Sequence, residues 1–152
     1  MMELLVTVAV FTIVVTIVSD VYLTAVGSQR RSFGQQLVIE NSGFTLEAMA
    51  RAIRQSSVVS ATETRLEINH PAKGTVVYTA GGGQVLENDA PLTSQDVTVS
   101  RLSFLTLGIP GGDNEQPRIT VILEISSANQ KAGEQSRLTV QTTVTPRQLQ
   151  VE

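Results

Sequence analysis

Hydrophobic and polar positions divide the chain into three stretches. From Met1 to Val26 the residues are almost continuously apolar, with Glu3 the only early charge and none between Leu4 and Val18. As a helix rising about 1.5 Å per residue, Leu4 to Val18 reaches roughly 22 Å, and the run continued to Val26 reaches roughly 34 Å. A bilayer hydrocarbon core is about 30 Å thick. The Val, Ile and Thr content would favour a strand in water. In lipid a lone strand leaves its backbone groups unpaired, whereas a helix satisfies them within the segment. Residues 1–26 are therefore expected to form a membrane-inserted helix, with Ser19 and Asp20 toward the far interface. A secretory signal peptide is the competing reading, but no Ala-x-Ala cleavage site follows and the helical pattern runs on.

In the second stretch, residues 27–57, Gly27-Ser28-Gln29-Arg30-Arg31 marks the exit from lipid, and apolar residues then recur at three- and four-residue intervals. The pattern predicts continued helix to about Gln55, with Ile39, Leu46, Ala50 and Ile53 as one stripe and Glu40, Glu47, Arg51 and Arg54 near or opposite it. Gly27, Gly34 and Gly43 each cost a helix about 1 kcal/mol relative to Ala and are the expected bends.

From Val58 to the end the period is two. Strands are predicted at Arg65–Asn69, Thr75–Thr79 and Gln84–Glu87, the last two joined as a hairpin by Gly81-Gly82-Gly83. Asn88 to Gln95, holding Pro91, reads as a loop. Val97, Val99, Leu102 and Phe104 alternate across a slip at Ser100-Arg101, which predicts a bulge. Ile119, Val121, Leu123 and Ile125 share one strand face, and Leu138, Val140, Thr142 and Val144 repeat it, giving a second hairpin. The expected fold class is α+β: one long N-terminal helix packed on an antiparallel sheet of about five or six strands.

The globular part, about 125 residues after the apolar run, suits a single domain. With no cysteine in the chain, disulfides, thiolate metal sites and a Cys nucleophile are excluded. The formal net charge of −3 argues against a general basic nucleic-acid binder. Arg30, Arg31, Arg51 and Arg54 could touch lipid headgroups, neighbouring subunits or DNA; only Phe33 and Phe44 lie nearby to stack on bases, so nucleic acid is not expected.

Candidate chemistry is sparse. His70, the lone histidine, precedes Pro71 in a turn and has no second His or Cys with which to share a metal. No nucleophile elbow, phosphate loop or metalloprotease motif is present, and neither an enzyme nor a cofactor is expected. Asp113, Asn114 and Glu115, after Gly111-Gly112, could offer oxygens to a calcium ion, though their spacing is not that of an EF-hand and a solvated acidic loop is the plainer reading. Glu3 stands out, because a carboxylate at the edge of a span is costly unless paired.

Glu3-Leu4-Leu5-Val6 followed by a Val/Ala/Ile-rich span resembles the N-terminal helix of type IV pilins and type II secretion pseudopilins. Leu46 to Ser57 and the strands Val97–Phe104 and Arg137–Arg147 are similar to the J- or W-type minor pseudopilins. The resemblance implies a filament subunit, minor more than major, that polymerises through its N-terminal helix. Glu3 would neutralise the N-terminal amine of a neighbouring subunit, while Leu4, Leu5, Val8, Phe11 and Val15 pack in the filament core. Implied partners are other pilin or pseudopilin subunits, an inner-membrane assembly platform, a prepilin peptidase and membrane lipid, with the C-terminal domain outside the inner membrane. Some pseudopilins hold calcium in C-terminal loops. The family's short basic leader does not precede Met1, so either the natural start lies upstream or processing is atypical. Its Lys and Arg residues would also reverse a positive-inside count that Arg30 and Arg31 otherwise tip toward a cytoplasmic domain. A single-span anchored domain that never polymerises is the alternative.

Overall fold

The computed structural model describes residues 1–108, 117–128 and 135–146. Helix α1, Met2–Gln55, is one unbroken element of 54 residues, about 80 Å long. It runs through Gly27, Gly34 and Gly43 without interruption, so none of the three ends or breaks it. Ser56 stops it. The backbone there turns extended at φ −115° and ψ 160°, while the buried Ser56 hydroxyl donates to the Ala52 carbonyl at 2.6 Å.

Among the described residues eight strands follow in two antiparallel sheets, of five and three strands, where the sequence predicts one sheet of about five or six. The first sheet takes β1 (Ser57–Ala61), β2 (Arg65–His70), β3 (Gly74–Gly81), β4 (Gln84–Glu87) and β5 (Ala90–Pro91) in chain order. The second takes β6 (Val97–Leu107), β7 (Arg118–Ser127) and β8 (Arg137–Val144). The β3–β4 and β7–β8 hairpins form as expected, and the β6–β7 register slips between Val99 and Arg101, the site of the predicted bulge.

Strand β5 falls in Asn88 to Gln95, which the sequence predicts as loop. Asn88 and Asp89 adopt left-handed backbone, φ 49° and 66°, forming a two-residue turn that returns the chain so that Glu87 faces Ala90. Asn88 Oδ1 accepts from the Val77 amide at 2.8 Å, and its side-chain amide donates to the Thr75 carbonyl. Pro91, which lacks a donor, sits on the sheet edge.

The two sheets are stitched at their border by backbone bonds from Phe104 N–H to Glu63 O (2.8 Å) and from Val99 N–H to Gly83 O (2.7 Å). A Cβ on Gly83 would stand 3.3 Å from the Thr98 methyl at a φ of 76°, so glycine permits this approach.

The core lies between the sheets and the C-terminal part of α1. Val38, Met49, Ile53, Leu66, Tyr78 and Leu123 are among its buried members. The helix face that docks carries Gly34, Val38, Ser42, Thr45, Met49 and Ile53. Leu46, Ala50 and Ile53 of the expected stripe are buried, but Ile39 is 53% exposed and Val38 takes its place. The true stripe includes Gly, Ser and Thr, which an apolar pattern does not register.

Candidate functional site

The N-terminal half of α1 stands clear of the domain. No residue before Val26 is even half-buried, and the first buried one is Gly34. This is the one helix among the described residues long and apolar enough to cross a membrane, and its apolar stretch is wholly unburied.

Its polar groups are handled within the helix. Thr7, Thr12, Thr16, Ser19 and Thr24 each donate to the carbonyl four residues back, at 2.7–2.8 Å. Every serine and threonine hydroxyl between Glu3 and Ala25 is thus satisfied without water. That is the requirement hydrocarbon imposes, and the apolar pattern alone did not reveal it.

Glu3 lies in the exposed first turn, and its carboxylate has no ion-pair partner among the described residues. Leu4, Val8, Phe11 and Val15, at intervals of three and four, share one helix face, and all are exposed. At about 100° per residue this face is roughly opposite the one that docks on the sheets. Leu5 is exposed too, about a quarter turn round.

The four arginines do not come together. Arg30 and Arg31 stand where α1 leaves its free half, while Arg51 and Arg54 are about 30 Å further along. The Arg31 carbonyl accepts from the Ser136 hydroxyl at 3.4 Å. Arg51 holds Glu47 at 2.7 Å, a solvent-exposed pair one turn apart.

His70, expected on a turn, ties three elements. Its Nδ1 accepts from the Ala72 and Lys73 amides at 3.1 and 3.2 Å, capping the β2–β3 turn. Nε2 therefore carries the proton and donates to Gln55 Oε1 at 3.1 Å, at the end of α1. The open groove beside it is lined by Phe44, Glu47, Arg51, Lys73 and Glu87 among others. Its charges are already matched within the chain, Arg51 with Glu47 and Lys73 with Glu87, both at 2.7 Å. Tyr78 also donates to Glu87 at 3.0 Å; burial first, then the Glu87 charge and this bond, push its phenol above the ordinary range.

Asp113, Asn114 and Glu115 lie outside the described residues. Among those described, no group of three or more His, Cys, Asp or Glu side chains is placed to hold a metal ion.

Fold and site together define an α+β domain on a helix whose other half is apolar and unpacked. Comparison with protein-family models, with curated proteins and with solved structures gives no match.

Proposed function

We propose that this protein is a pilin-like structural subunit, a minor pilin or pseudopilin of a type IV pilus, type II secretion or DNA-uptake filament, assembling through the free half of α1. The observation that carries the reading is the continuity of the helix. One unbroken helix is docked on the sheets by one face beyond Gly34, and before Val26 it presents every face to its surroundings.

In the membrane that half has no hydrophobic drive to associate, since lipid is as apolar as Leu; packing and polar pairing set contacts there. Leu4, Val8, Phe11 and Val15 supply the packing surface. Glu3 supplies the polar element, and the free amine of a neighbour is its fitting partner. The mechanism is assembly, with the domain carried outside the inner membrane and no turnover of substrate.

The test is Glu3→Ala in the full chain, read as subunit in membranes against subunit in sheared filaments. The expected result is normal insertion with incorporation reduced at least tenfold. Undiminished incorporation would remove the pairing role. A protein found only as isolated anchored molecules would instead be a single-span domain that does not polymerise. Copy number in sheared filaments separates a minor from a major subunit.

A further inference from the structure

The aromatic residues of α1 are Phe11, Tyr22, Phe33 and Phe44, each eleven residues from the next. All are well exposed, at 66%, 67%, 62% and 63%. Eleven residues make three helical turns plus about 20°, so the rings form one slowly drifting stripe, a ring every ~16.5 Å. The stripe runs on the side of Leu4, Val8 and Val15, roughly opposite the docked face, and at its far end Phe44 and Arg51 border the open groove beside His70. Lipid could solvate Phe11 and Tyr22. Phe33 and Phe44 stand beyond the apolar span, in the half that carries the domain, where water is the alternative to a partner.

Charge follows the same interval. Glu40 and Arg51 are exposed, lie on this stripe and are also eleven residues apart.

We propose that this stripe is a contact between copies of this chain, with α1 packed along α1 of a second copy, parallel and displaced by one eleven-residue repeat. That displacement sets Phe11 beside Tyr22, Tyr22 beside Phe33 and Phe33 beside Phe44. It also brings Glu40 level with Arg51, whose guanidinium has N–H donors beyond those held by Glu47. With no displacement the rings would still align, but Glu40 and Glu47 would each face their own copy, like charge against like. A displaced contact of this kind does not close on itself and propagates as an open row. The proposal rests on the assembly reading above and adds its register. A copy displaced by one repeat carries its terminus level with Thr12, beyond reach of Glu3, so amine pairing and aromatic stripe serve different neighbours.

The chain has no cysteine, which makes disulfide trapping clean. Val18 and Gln29 are one repeat apart on the stripe, whereas Gln29 and Gln36 are seven residues apart on nearly the same face. In the full chain in its native membrane, mild oxidation of V18C/Q29C is expected to give dimers and a ladder of higher species, several-fold above either single variant. Q29C/Q36C is expected to stay near that background. In the V18C/Q29C pair, adding E40R is expected to lower the yield several-fold, and adding R51E as well to restore it. Two differently tagged wild-type copies, tested for co-purification, report association itself. Co-purification with trapping through Q29C/Q36C, or through neither pair, overturns the register and leaves assembly standing. Failure of the tagged copies to co-purify overturns the contact between copies, and incorporation of the Glu3→Ala variant into sheared filaments then decides the assembly reading by itself, because a minor subunit assembles with other subunits.

Discussion

Tyr78 is buried among apolar neighbours with its hydroxyl turned to Glu87, so the folded state favours the neutral phenol. Its folded pKa is raised above the ordinary value of 10.0, so this stabilisation is complete below pH 10 and is lost as pH climbs past it. Thermal unfolding followed from pH 8 to 11.5 should therefore show a steep alkaline decline that Tyr78→Phe flattens. Near pH 8 the same substitution should cost about 1 kcal/mol, the worth of one hydrogen bond. Thr45 is the converse. Its buried Oγ1 has no partner among the described residues, so Thr45→Val should be neutral or should raise stability by up to ~1 kcal/mol. At this scale the sequence showed candidates without partners: His70 was readable as a turn residue, but its bond to Gln55, fifteen positions away, depends on the hairpin docking at the helix end.

Helix α1 shows how far periodicity carries. Its extent to Gln55 was legible because propensity and spacing are local, and none of its three interior glycines ends it. The cost of each, about 1 kcal/mol, is small against the packing of the docked face. The face itself was legible only in part, since Gly34, Ser42 and Thr45 fill the positions where α1 approaches the sheets most closely. Met49→Ala should cost about 2–5 kcal/mol in denaturant unfolding, as for any large core truncation. Ile39→Ala, at a site more than half exposed, should stay within about 0.5 kcal/mol. Equal losses at the two positions would mean that the docked face has been misplaced. The β4–β5 turn was missed for another reason: Asn88-Asp89 tolerates left-handed backbone, but Pro91 just after it argues against a strand, and only an edge position reconciles the two.

For the whole molecule, the division of labour along α1 predicts separability. Every member of the buried core lies at Val38 or beyond. A chain beginning at Gln29 should therefore fold cooperatively, keep its midpoint within a few degrees of the full protein's domain transition, and no longer sediment with membranes. Circular dichroism with membrane flotation checks this; loss of the cooperative transition would show that the apolar half contributes to the domain.

By itself the sequence determined the apolar run, the helix to Gln55, the positions of most strands, the bulge after Val99 and the α+β class. These follow from side-chain periods of 3.6 and two, which each segment carries within a few residues. The tertiary structure decided that the strands divide into two sheets, that Val38 rather than Ile39 faces them, and that His70 clasps the helix end. It also left one face of α1 bare along its whole length. Those outcomes depend on which surfaces meet, and burial belongs to the pair in contact rather than to either segment alone.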